Sequence, residues 1–195
     1  DTSSMFGKIF LINKNDPNKF EIFSVGHRNQ QGLFYDEKND RVFSAEHGPE
    51  GGDEFNEIIL GKNYGWPNAS YGTIKGAGLE KQKKYPNIIT LYDNHRKYGF
   101  EEPIKFFTPS IGISQLIKNF NNREENNSYF ITSMKNKELG HSIYIIDFDL
   151  KNIVNNEDKL FIGDRIRDII YNNKDGEYIL MLESSYSIGV LREVN

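Results

Sequence analysis

Gly32-Leu33-Phe34-Tyr35-Asp36-Glu37-Lys38-Asn39-Asp40-Arg41-Val42 matches Asp168-Ile169-Ile170-Tyr171-Asn172-Asn173-Lys174-Asp175-Gly176-Glu177-Tyr178 without a gap. Each stretch reads as a strand, a tight turn of acidic, Asn or Gly residues, and a second strand. Tyr35 falls on Tyr171, an offset of 136 residues. That is close to three periods of about 45 residues, the spacing of propeller blades. Any two β-hairpins with similar turns would align this well, so a sandwich stays open as the alternative. The repeat favours the propeller.

Outward from these two hairpins, most apolar runs are short, β-branched or aromatic, and bounded by turn residues. The stretches 7–13, 20–26, 32–36, 41–46, 54–60, 88–92, 113–120, 128–134, 141–148, 167–171, 177–182 and 189–194 read as strands. Helix-period patterns with caps are nearly absent, and 153–160 reads as one polar turn at most. The expectation is an all-β chain in which residues 1–195 form one partial propeller of about four blades. An open arc of that kind would expose apolar blade faces at both ends, because a propeller hides its edges only by closing.

Composition narrows the function. Hydrophobic residues are 37% and charged residues 27% of 195, ordinary for a globular protein with one sizeable core. A net charge of −4 argues against a broad nucleic-acid footprint, which needs clustered Lys and Arg. No run of 18 apolar residues is present to span a membrane as a helix. Cysteine is absent, which excludes disulfides, thiolate nucleophiles and Cys-ligated metal centres. The chain opens Asp1-Thr2-Ser3-Ser4 with neither an initiator Met nor a signal peptide, and reads as processed, trimmed or partial.

The least ordinary segment is Ser44-Ala45-Glu46-His47-Gly48-Pro49-Glu50-Gly51-Gly52-Asp53-Glu54-Phe55-Asn56, followed by Gly61-Lys62-Asn63-Tyr64-Gly65-Trp66-Pro67. A strand runs into a loop holding a histidine, acids, glycines and a proline, and then into a second Gly/aromatic loop. Glycines let backbone carbonyls approach a ligand closely. Hard cations such as calcium take carboxylate and carbonyl oxygens. The plainer alternative is an acidic hairpin turn with Trp66 as a core anchor.

These two stretches, with Gly26-His27-Arg28-Asn29-Gln30-Gln31-Gly32-Leu33, resemble the signature of the soluble glucose/sorbosone dehydrogenases, in particular their aldose sugar dehydrogenase branch. Gly163-Asp164-Arg165-Ile166-Arg167-Asp168 with Asn173-Lys174-Asp175-Gly176 resembles that family's last-blade motif. The resemblance covers nearly the whole chain in the correct order.

The resemblance implies a six-bladed propeller that binds PQQ and calcium and oxidises an aldose sugar at C1 to the lactone. An external electron acceptor and a periplasmic or secreted location are implied with it. By position, His47 would lie against the quinone, and Arg28 and Asn29 would face the cofactor. Lys135, Arg165 and Arg167 would bind its carboxylates and quinone oxygens. The carbonyls of Gly48 and Pro49 would hold one calcium, and Glu54 with the Tyr64 carbonyl a further one. Such roles suit the residue types: PQQ carries three carboxylates, Arg grips carboxylates bidentately, and Lys acts as a compact charge. Arg165 and Arg167 are two apart and share a face in a regular strand, with Asp164 or Asp168 placed to orient them.

The sequence departs from the family at Gln30, where proline is usual, at Phe107, where tryptophan is common, and across Ile111-Gly112-Ile113-Ser114-Gln115. The family's base histidine is expected upstream of this chain, so the catalytic residue is unassigned. His27, His95 and His141 do not match its motif, and His95 reads as an exposed loop residue. Two alternatives follow: a non-catalytic propeller binding module, or one half of an enzyme completed by N-terminal blades or a homodimer partner. The Asn-x-Ser sequons at Asn68 and Asn126 read as incidental.

Overall fold

A computed structural model describes residues 3–72, 95–122, 127–135 and 140–192. Within them run thirteen strands: β1 (Lys8–Asn13), β2 (Asp16–Val25), β3 (Gln30–Asp36), β4 (Arg41–Glu46), β5 (Asp53–Ile58), β6 (Lys105–Phe107), β7 (Ile113–Lys118), β8 (Ser128–Ser133), β9 (Ser142–Phe148), β10 (Val154–Phe161), β11 (Ile166–Asn172), β12 (Glu177–Leu182) and β13 (Ser187–Leu191). The only other regular element among the described residues is a short 3-10 turn, His95–Tyr98. The strand expected at 88–92 and the sequon at Asn126 lie outside the described residues.

The strands form four antiparallel sheets in chain order: β1-β2, β3-β4-β5-β6, β7-β8-β9-β10 and β11-β12-β13. The first strands of the last three sheets adjoin, β3 against β7 and β7 against β11. This is the arrangement of propeller blades, whose innermost strands line the axis. Gly32 allows β3 to come close: a Cβ there would stand 3.0 Å from the Gln115 Cα.

The internal repeat is real. Its two copies are β3-turn-β4 and β11-turn-β12, the inner hairpins of two sheets. The alignment sets Asp40 on Gly176, and both adopt left-handed backbone, at φ of 51° and 71°. Asp tolerates that region through local hydrogen bonding, whereas Gly enters it freely. The spacing is corrected, however. One sheet lies between the copies, so the offset spans two sheet-to-sheet steps and not three of about 45 residues. The long segment between β5 and β6 lengthens the first unit.

The sheet β7–β10 is sandwiched. On one face Phe43, Phe55, Phe107, Tyr129, Ile146 and Phe148 form a core with the β3–β6 sheet. On the other, Ile117, Phe130, Ile143, Ile169, Tyr178 and Leu180 form a core with β11–β13. Each fully buried large side chain contributes about 1.5–3 kcal/mol. Burial on both faces is why β8, Ser-Tyr-Phe-Ile-Thr-Ser, reads as a continuous run with no polar alternation. Phe107 belongs to this core, edge-on to Tyr144 at 5.2 Å, so its replacement of the family tryptophan alters packing.

The stretch 153–160, expected as one polar turn, is instead the edge strand β10. It pairs only with β9, and every residue after Val154 is exposed. An edge strand wet on both faces shows no apolar alternation, and charged side chains there discourage further pairing. The outer ends of the array carry exposed apolar side chains: Phe20 and Ile22 on β2, and Ile170, Met181, Ile188 and Val190 on the last sheet.

Candidate functional site

Strand register defines one end of the sheets. Gln30, Glu46, Glu54 and Phe106 form a row across the second sheet. Ile113, Ser133 and Thr132 with Ile143 mark the same end of the third, and Ile166, Leu182 and Ser187 that of the fourth. Hydrogen bonds tie these ends together. Asp53 Oδ2 accepts the N–H groups of Gly112 and Ile113, and the Ser114 hydroxyl donates to the Ile166 carbonyl at 2.5 Å.

Of the residues predicted to face the cofactor, Arg28, Asn29, His47, Lys135 and Arg165 sit in the loops at this end, and Arg167 is the second residue of β11. The Arg28 guanidinium donates to the His47 carbonyl at 2.9 Å and stands over the Trp66 ring at 5.2 Å. The Asn29 carbonyl accepts the His47 N–H at 2.9 Å. Lys135 is exposed, and its N–H donates to the Ile111 carbonyl. The preceding carbonyl, of Met134, accepts from Arg165 at 2.8 Å. A string of contacts thus runs from Arg28 through His47, Asp53 and Lys135 to Arg165.

Arg165 and Arg167 do share a partner, but it is neither Asp164 nor Asp168. Glu183 Oε2 accepts from Arg165 Nε at 3.0 Å and from Arg167 at 2.8 Å. Asp164 instead accepts the N–H groups of Ser184 and Ser185, and Asp168 accepts from Ile169. The end of β12 lies beside the start of β11, which puts position 183 under both arginines. The arginines' bonds to Glu183 hold its carboxyl below its usual pKa.

The glycine loop turns at Gly51 and Gly52, with φ of 79° and 68°. A Cβ at Gly48 would meet the Gly51 carbonyl oxygen at 2.1 Å, so only glycine fits this approach. Among the described residues no donor is hydrogen-bonded to the carbonyls of Gly48 or Pro49. Asp53, 1% exposed, anchors the loop: it accepts from Gly48 N–H and from the Ser110 hydroxyl, and lies 3.7 Å from His47 Nδ1. Burial would raise its pKa, but the nearby His47 imidazole and hydrogen bonds from Ser110 and Ile113 outweigh that and lower it. No motif or spacing in the sequence singles out Asp53 for this role.

Arg28, His47, Gly48, Glu54 and Tyr64 line one narrow cleft, joined there by Glu46. Glu46 and Glu54 are cross-strand partners, 4% and 5% exposed. Burial pushes the Glu46 carboxyl up to about 7, and burial with the Glu46 charge pushes Glu54 well above the usual range. His95 is not an exposed loop residue: it is 1% exposed, its Nε2 lies 3.7 Å from Glu54 Oε1, and its ring stacks on Tyr71. The Tyr64 carbonyl also faces this imidazole, so both residues predicted to share a calcium converge on His95. Among the described residues no three His, Asp or Glu side chains form a metal cage by themselves.

The description "Glucose / Sorbosone dehydrogenase" matches residues 5–191, and the chain belongs to that family. It is 31% identical over 172 residues to the aldose sugar dehydrogenase YliI of Escherichia coli (strain K12), covering 85% of this chain and 42% of that protein. A solved glucose dehydrogenase superposes at a TM-score of 0.68 with 28% identity, over 90% of this chain and 46% of that one. The PQQ-bound form of an aldose sugar dehydrogenase from Streptomyces coelicolor superposes at 0.65 with 21% identity, over 98% and 52%, and shows the fold alone. The chain spans less than half the length of the curated relatives it covers most fully.

Proposed function

We propose that this chain forms the cofactor-facing rim of a PQQ- and calcium-dependent aldose dehydrogenase. The observation that carries the reading is the placement of Arg28, His47, Lys135, Arg165 and Arg167 at one end of three adjoining sheets. Four cations in that setting suit a ligand with three carboxylates. Bound there, PQQ would supply a two-electron quinone acceptor for the hydride leaving the sugar's C1, which yields the lactone.

The chain's own residues bind and orient. Arg165 and Arg167 present guanidinium forks held in place by Glu183, and Lys135 adds a point charge. His47 would lie against the quinone, with Asp53 beside its ring at 3.7 Å. The carbonyls of Gly48 and Pro49, which accept no hydrogen bond among the described residues, are suited to a calcium. Glu54 and the Tyr64 carbonyl would hold a further one.

None of the four histidines is assigned as the base for the sugar hydroxyl. His27 and His95 are 1% exposed, His141 lies in a left-handed turn, and His47 has the quinone role. The base is a residue outside this chain, reoxidation falls to an external acceptor, and the setting is periplasmic or extracellular. Glucose with PQQ, calcium and a dye acceptor tests this division of labour: these 195 residues should give little or no turnover. Robust turnover would show that a residue here is the base.

A second reading, that another chain completes the ring, is favoured by the exposed aliphatic face Ile170, Met181, Ile188 and Val190. Sedimentation with and without the remaining blades, supplied in trans, separates the two.

A further inference from the structure

Behind the rim lies a buried polar layer. Glu46 and Glu54 are cross-strand partners, as are Ser44 and Asn56 one step along the same two strands. All four side chains share a face and are at most 5% exposed. The other face of these strands, Phe43, Ala45 and Phe55, is packed in the core. Opposite the polar face stand His27 and His95, each 1% exposed.

This layer is short of partners. Six buried side-chain atoms in the described residues make no hydrogen bond, and five of them belong here: His27 Nδ1, Gln30 Nε2, Ser44 Oγ, Asn56 Oδ1 and His95 Nδ1. Gln30 is the cross-strand neighbour of Glu46. His27 binds Ser24 through Nε2 at 2.7 Å, and its orphaned Nδ1 lies 3.9 Å from Glu46 Oε2. Orphaned buried groups in a native fold mark missing water or ions. Two buried carboxylates side by side, with no Lys or Arg side chain among the described residues bonded to either, are the setting a cation would stabilise.

The geometry points to Glu46 as the second carboxylate ligand of the cation held at Glu54 and the Tyr64 carbonyl, with water on Ser44, Asn56 and His27 completing its shell. This rests on the calcium reading of Glu54 and Tyr64 and extends it inward. A hard cation of six to eight oxygen ligands matches a site of two carboxylates, a carbonyl and water. The consequence reaches the rim. Glu46 Oε2 also accepts the Arg28 N–H at 3.0 Å, and the Arg28 side chain holds the His47 carbonyl. A cation on Glu46 therefore fixes the segment that carries two cofactor-facing residues.

The test is calorimetric titration of chelator-stripped protein with calcium alone, without quinone, on wild type, Glu46→Gln, Glu54→Gln and the rim control Glu183→Gln. Wild type and Glu183→Gln should take up calcium alike, and Glu46→Gln and Glu54→Gln should each bind it roughly ten-fold or more weakly. The calcium-induced rise in melting temperature should shrink in the same two variants. Wild-type affinity in Glu46→Gln alongside loss in Glu54→Gln overturns the role of Glu46 and leaves the Glu54 site standing. No calcium uptake by wild type overturns both. Should Glu46→Gln not fold, Glu46→Asp keeps the charge and shortens the reach: several-fold weaker binding supports the assignment, and wild-type affinity there counts against it.

Discussion

The carboxylate of Asp53 lies 3.7 Å from the imidazole of His47, and it is the same carboxylate that binds the next sheet at Gly112 and Ile113. One buried acid thus sets the orientation of a cofactor-facing ring and the junction of two sheets.

Asp53→Ala should therefore weaken the junction of the two sheets. Removing the acceptor takes the carboxylate away from the buried Ile113 N–H and leaves the Gly112 N–H only the Ser110 hydroxyl, a loss of roughly 2 kcal/mol or more. Urea denaturation reads this directly. A change under about 1 kcal/mol would show that water replaces the carboxylate and that the junction does not depend on it.

Gly48→Ala should be far worse than Gly61→Ala. Gly61 has nothing within 4 Å of a Cβ but a φ of 78°, so the second change brings only left-handed strain, about 1 kcal/mol. At Gly48 the Cβ meets two carbonyl oxygens at 2.1 and 2.4 Å, and backbone has to move. More than about 2 kcal/mol is expected, together with loss of calcium response. Equal thermal shifts for the two variants would contradict the tight loop.

The all-β class, the inner hairpins and the glycine loop were legible because each carries a local signal: strand periodicity, turn residues, and glycines at left-handed positions. What escaped was tertiary. His95 sits in a polar stretch, and nothing nearby in sequence announces that Glu54 and Tyr71 enclose it. Glu183 lies 16 residues beyond Arg167, at the end of a strand whose register alone brings them together. β10 was hidden for the opposite reason, since an edge strand with both faces wet has no hydrophobic period to read.

His27 should make stability fall in acid. Burial holds its pKa near 4, against 6.5 for the free side chain. The unfolded chain takes up a proton that the folded one refuses, so the contribution is whole above pH 6.5 and drains as pH falls towards 4. The gap corresponds to an effect on the order of 3 kcal/mol. His27→Gln removes this titration, so the stability advantage of wild type over the variant should shrink steadily from pH 7 to pH 4.5. An advantage that stays constant over that range would mean that folded His27 takes up its proton as readily as the unfolded side chain.

Arg167 tests the rim with least disturbance. Its side chain is 43% exposed and its bond to Glu183 is a surface pair, so Arg167→Ala should change stability by less than about 1 kcal/mol. Thermal melting should barely register it, and a large destabilisation would make the arginine a structural residue.

The most direct measurement is an equilibrium titration of the protein with PQQ in the presence of calcium, followed by the quinone's absorbance, for wild type and for Arg167→Ala. The account predicts saturable binding that requires calcium and weakens roughly ten-fold in the variant, as expected for one charge-assisted contact to a carboxylate. No saturable binding by wild type, or the same affinity in Arg167→Ala, would contradict it.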